Sequence, residues 1–174
     1  MPRSFALVDR ISALVARAAA QAAALVLLSI TVLILIEITL RSFFGRSTQI
    51  TEEYVAYGLG TMVFLGLGHA LRAGALVRVD LLLGRLGPAA RRFFEIATCG
   101  VTLCVMSFVL YYLSVRVGRD FAGGTISMTR AATPMWIPHA IVAFGMGIFM
   151  LQVLVYMIGQ CLGATPMKEQ GAIE

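Results

Sequence analysis

Four apolar runs occupy most of this 174-residue chain, each long enough to thread a bilayer as a helix. A hydrocarbon slab about 30 Å thick takes roughly 20 residues at 1.5 Å of rise each. The runs cover residues 18–40, 54–71, 96–115 and 134–162. Inside lipid each backbone amide needs a partner within its own segment, and Ala, Leu, Ile and Val runs with little strict alternation satisfy that as helices rather than as barrel strands. The expected fold class is therefore all-α integral membrane, with four transmembrane helices forming one membrane domain over 1–174. Composition agrees, because 59% hydrophobic against 13% charged residues leaves too little polar surface for a soluble domain of this length.

The charges that remain give direction. Arg3, Arg10, Arg17, Arg72, Arg78, Arg85, Arg91, Arg92 and Lys168 fall on one side of the four crossings, while Arg41, Arg46, Arg116, Arg119 and Arg130 fall on the other. The excess of basic residues predicts that both termini and the middle connection are cytoplasmic. These cations are spread over helix ends and turns without interleaved aromatics, which argues against nucleic acid as a partner. The first run is too long for the apolar core of a secretory signal, and its Ala-rich triplets stand at its start rather than its end, so it reads as an uncleaved crossing.

Ahead of that crossing, Arg3, Arg10 and Arg17 recur every seven residues, and Leu7, Val8, Ile11, Leu14 and Val15 gather on another face. Residues 1–17 thus read as an amphipathic interfacial helix with its arginines among membrane lipids, the alternative being a first crossing that simply extends into water. Residues 72–92 form the longest cytoplasmic connection. The short apolar stretch Val79 to Leu83 predicts a horizontal arm, with Gly87 ending it and Pro88 starting the third helix. Residues 163–174 form a cytoplasmic tail.

Polar residues near the outer side are the candidates for chemistry. Glu37 is the deepest acidic residue, and Arg41 one turn later is within pairing reach. An intramembrane carboxylate is either held structurally or handles ions or protons. Thr51 is placed to cap the second helix, with Glu52 and Glu53 in its first turn, where negative charge suits the helix dipole. Gly58, Gly60, Gly66, Gly68 and Ala70 allow that helix to be approached closely. Thr133 and Pro134 predict the start of the fourth helix, and Trp136 fits the aromatic belt of the outer boundary. Arg91 and Glu95 are spaced for a pair at the start of the third helix.

Catalytic patterns do not emerge. His69 and His139 belong to opposite ends of their crossings, which excludes a shared haem iron. Cys99, Cys104 and Cys161 read as small packing residues, and no nucleophile elbow, phosphate loop or metal-ligand spacing occurs. The expectation is a chain that is no enzyme and carries no cofactor.

Residues Leu71-Arg72-Ala73-Gly74-Ala75-Leu76-Val77-Arg78-Val79-Asp80 resemble the Arg-x-Gly-x-x-Val-Arg-Val-Asp segment of the small membrane subunit, DctQ type, of tripartite ATP-independent periplasmic (TRAP) transporters. Arg41, Glu53, Phe64-Leu65-Gly66, Pro88 with Arg91 and Arg92, Thr133-Pro134-Met135-Trp136 and Gln152 agree in order, so the similarity covers about residues 10–162. The chain departs from that pattern at Ala75-Leu76, where Gly-His is frequent, and near Ile50, where Trp is frequent. The resemblance implies a non-catalytic subunit of the bacterial inner membrane that docks on a large polytopic subunit bearing the ion and substrate sites. A periplasmic substrate-binding protein would deliver an organic acid. Under it Arg78 and Asp80, in one motif with Arg72 and Gly74, would set the cytoplasmic arm, while Arg41, Glu52 and Glu53 would face the side where the delivery protein lands, in contact with it or with the large subunit. The competing expectation is an autonomous four-helix proton-coupled transporter using Glu37.

Overall fold

A computed structural model of the chain describes residues 3–73 and 88–161. Four helices appear in order: α1 (Arg3–Phe44), α2 (Thr51–Arg72), α3 (Pro88–Ala122) and α4 (Trp136–Cys161). Each is long and apolar enough to cross a membrane. The expected arm with Gly74, Arg78, Asp80 and Gly87, and the tail, lie outside the described residues.

The first helix differs from the sequence reading. It is one element of 42 residues, about 63 Å long, with no break near residue 17, so residues 3–17 are its first four turns rather than a separate interfacial helix. The physical reason is its buried stripe. Ser12, Ala16, Ala19, Ala23, Ile30 and Glu37 are buried at spacings of three, four or seven, and this line of mostly small side chains runs straight through the boundary. The larger residues Leu7, Val8, Ile11 and Leu14 point outward.

Helix α4 is the centre of the bundle. It packs against α3, α2 and, less extensively, α1, while α1 lies along α2. Among the described residues, helix α3 has a substantial neighbour only in α4, and none of its described side chains is fully buried. In a solvent as apolar as the side chains, close backbone approach replaces hydrophobic drive. Gly145 of α4 faces the α2 backbone at Phe64 and Leu65, where an added Cβ would come within 3.1 to 3.2 Å of those atoms. On α2, Gly58 accommodates Ile30 of α1, and Gly68 accommodates Gln152 of α4. The α2 glycines thus serve helices of this chain on two sides, whereas Gly66 faces open space.

The ends of the helices follow local chemistry. Gly45, at φ 61°, closes α1, and the Gly45 and Arg46 amides return to the Arg41 and Leu40 carbonyls. Helix α3 ends in a Schellman motif: Gly124 takes φ 57°, its amide donates to the Phe121 carbonyl, and the Thr125 amide donates to the Asp120 carbonyl. Two expected helix starts shift. The residue before α2 is Ile50, which offers no side-chain cap; Thr51 is already helical and uses its hydroxyl elsewhere. Pro134 does not open α4 either. It pairs with Ile126 in an isolated antiparallel bridge, flanked by hydrogen bonds from the Ser127 amide to the Thr133 carbonyl and from the Met135 amide to the Thr125 carbonyl. The helix begins two residues later, at Trp136, whose ring meets Phe121 edge-on at 5.5 Å between centroids. Pro138 remains within the first turn, where its missing amide costs least.

Candidate functional site

Polar side chains are concentrated at the two ends of the bundle, with apolar contacts between. At one end Glu37, brought in by the buried stripe of α1, receives five donors. Arg41 Nε, one turn on, lies 3.1 Å from Oε1. Ser47 Oγ donates to Oε1 at 2.5 Å. Oε2 accepts from the Thr48 amide at 3.1 Å, the Thr48 hydroxyl at 2.5 Å and the Thr51 hydroxyl at 3.1 Å. The 45–50 connection folds back over α1 to supply these groups, with Gln49 at φ 58° making the reversal that brings Ser47 and Thr48 inward. Arg41 also donates to Ser47. An ionised carboxylate taken from water unpaired is costly, and donors on both oxygens, with the Arg41 charge on one of them, offset that cost. Beside it opens a cleft of about 320 Å³ lined by Glu37, Arg41, Ser47, Gln49, Thr51 and Glu52.

The same end holds two further ties. Glu53, in the first turn of α2, accepts from the Tyr57 hydroxyl at 2.7 Å and from the Thr129 hydroxyl, which binds the 123–135 connection to α2. Glu52 stays exposed. Asp120, near the end of α3, lies 2.8 Å from His139 Nδ1 in α4 and 4.0 Å from Arg116.

At the opposite end Arg72, the last residue of α2, reaches between α1 and α4. Its Nε donates to Gln152 Oε1 at 2.7 Å. Its Nη2 donates to the Asp9 carboxylate at 2.5 Å, the Asp9 carbonyl at 3.1 Å and Ser12 Oγ at 3.2 Å. Gln152, only 1% exposed, accepts from Ser12 Oγ at 2.7 Å and returns a hydrogen bond from Nε2 to the Ser12 carbonyl at 3.0 Å. Every member of this cluster is used, which is the condition for burying polar groups without penalty. A neighbouring cluster joins α3 to α4, with Gln160 and Tyr156 donating to Glu95 at 2.7 and 3.3 Å. Arg92 donates to the Cys161 carbonyl at 2.6 Å.

The sequence-predicted residues therefore divide. Glu37, Arg41 and Thr51 meet at one end and Glu53 stands in the next cluster; Arg72 and Gln152 meet at the other. Arg10 and Arg17 are exposed on α1, Arg3 opens that helix and Pro88 opens α3. The expected Arg91–Glu95 pair cannot be placed, since the Arg91 side chain lies outside the described residues. Cys104 and Cys161 are exposed and Cys99 half-buried, none of them in a disulfide, so two of the three face outward rather than filling the interior. Sequence reasoning missed Asp9, Ser12, Ser47, Thr48, Asp120 and Thr129. One signal was present for the first two: Asp9 is the only acidic residue before Glu37, and it heads the small-residue stripe Ser12, Ala16, Ala19, Ala23.

Among the described residues no three His, Cys, Asp or Glu side chains converge as a metal site. Over residues 30–162 the chain matches the model of a family described as tripartite ATP-independent periplasmic transporters, DctQ component. The chain belongs to this DctQ family. No curated protein and no solved structure matches it. As a DctQ component it is the small membrane subunit of a TRAP transporter, an inner-membrane protein whose family works with a large membrane subunit and a substrate-binding protein. The resemblance noted from the Arg72 segment and the following crossings is the same family, and the matched region includes three complete helices and the last part of α1, residues 30–44.

Proposed function

We propose that this DctQ subunit is a non-catalytic scaffold. It docks on the large ion-coupled subunit, widens the stationary part of the assembly, and serves uptake of an organic acid, a carboxylate, delivered by a periplasmic substrate-binding protein. Both termini lie in the cytoplasm, so the Glu37 end faces the periplasm and the Arg72 end the cytoplasm. Arg3, Arg10 and Arg17 sit among headgroups of the inner leaflet. Arg41, Glu52 and Glu53 border the surface where the delivery protein lands. Gly74, Arg78 and Asp80 set the cytoplasmic arm, with Pro88 at its exit, and Pro134 and Trp136 fix the outer boundary of α4.

The observation that supports this reading is the saturation of Glu37. A proton-coupled carrier needs a carboxylate that exchanges partners with a cavity. Glu37 instead has both oxygens occupied by groups of its own helix, the following connection and α2. The remaining acidic clusters each join two segments of the same chain. Affinity purification of the tagged chain from native membranes tests the proposal. A large polytopic membrane subunit at one-to-one stoichiometry is the expected result; isolation of the chain alone from membranes that contain all three components would refute it.

A further inference from the structure

The first three turns of α1 present an unusual problem of attachment. Leu7, Val8, Ile11 and Leu14 all point away from the bundle, with exposures of 50 to 62%, so none of these large apolar side chains holds the start of α1 to α2 and α4. The core contacts of α1 begin with Val15, Ala19, Ala22 and Ala23 against Leu65, Ile148 and Met62. Ahead of them, among the described residues, the attachments are polar: Asp9 and Ser12 to Arg72 of α2, and Ser12 to Gln152 of α4.

We infer that Arg72 is a positioning residue, whose guanidinium latches the start of α1 to the ends of α2 and α4 and so keeps that end of the scaffold in one register. The inference deepens the scaffold reading and rests on it. Arg72 suits the task because the guanidinium fork directs its donors along different lines: Nε points to α4, and Nη2 gathers both the Asp9 carboxylate and the Asp9 carbonyl on α1. Lysine carries its donors on a single nitrogen and cannot span the two helices in this way. Without the latch, an amphipathic segment flanked by Arg10 and Arg17 is free to swing away from the bundle, since its outward face is compatible with a lipid surface.

Spin labels on cysteines at Leu7 and Ile158, with Cys99, Cys104 and Cys161 replaced by serine, read the position of the segment directly. In the complex with the large subunit, the wild-type latch gives one narrow distance distribution. Arg72→Met broadens it or adds a second, longer distance, and uptake falls about tenfold while recovery of the large subunit is unchanged. Asp9→Asn, which preserves shape and is the milder change, broadens it less. Arg72→Lys, whose single nitrogen can keep Asp9 but not Gln152 as well, gives a width and an uptake between those of the wild type and of Arg72→Met. A narrow distribution in both Arg72→Met and Asp9→Asn overturns the inference, and so does a lysine variant no narrower than Arg72→Met. The distance measurement needs no transport, so its failure leaves the scaffold reading intact, whereas absence of uptake by the wild-type complex would count against that reading alone.

Discussion

Glu37 shows at the scale of one residue how a membrane chain keeps a charge. Its five donors come from four residues, and only Arg41 was readable beforehand, through the one-turn spacing. Ser47, Thr48 and Thr51 act through a reversal that depends on the left-handed backbone of Gln49, which no local pattern announces. Glu37→Gln replaces an acceptor oxygen by an amide nitrogen that faces donors, and it removes the charge that Arg41 meets. Hydrogen bonds to a charged group are stronger than neutral ones, so the variant should melt several degrees lower in detergent, roughly 3–10 °C. It should retain uptake when assembled with its partners. An unchanged melting temperature would mean that the cluster carries no stability. Tyr57→Phe, by the same logic, removes one of the hydroxyls that hold Glu53 and should lower the midpoint by a few degrees.

Helices were the most legible level. Length and hydropathy alone placed all four crossings, because a bilayer admits few alternatives to a helix. Their ends were less legible, for reasons that lie in tertiary contacts. Pro134 carries the signature of a helix start, yet the bridge to Ile126 takes it first. The α1 boundary near residue 17 followed from the arginines and the large apolar residues, while the small buried stripe that continues the helix gave a weaker hydropathy signal. Asp9 and Arg72, 63 positions apart, leave no periodic trace at all. Close approach between α2 and α4 yields a sharp element-scale prediction. Gly145→Val should force Phe64 and Leu65 away and cost about 1–3 kcal/mol by overpacking, whereas Gly66→Ala, with open space around it, should stay within about 0.5 kcal/mol of the parent. Thermal scans of the two purified variants compare them directly; equal midpoints would contradict the packing described for Gly145.

Across the whole molecule, polar clusters bracket an apolar middle. Ser12 and Glu37 end the buried stripe of α1, and 25 residues of helix place them about 38 Å apart, slightly more than a hydrocarbon core. The proposed orientation, with the Arg72 end in the cytoplasm, predicts that a cysteine at Leu7 reacts with an impermeant maleimide only in inside-out vesicles, and one at Gln49 only in right-side-out cells. Labelling of both from the same face would break the even number of crossings. A scaffold subunit transports nothing without its partner, and uptake into proteoliposomes under an imposed ion gradient measures that dependence. Liposomes holding this chain alone should accumulate no organic acid, and those holding it with the large subunit should do so once the periplasmic binding protein is supplied. Accumulation by the chain alone, abolished by Glu37→Gln, would contradict the account.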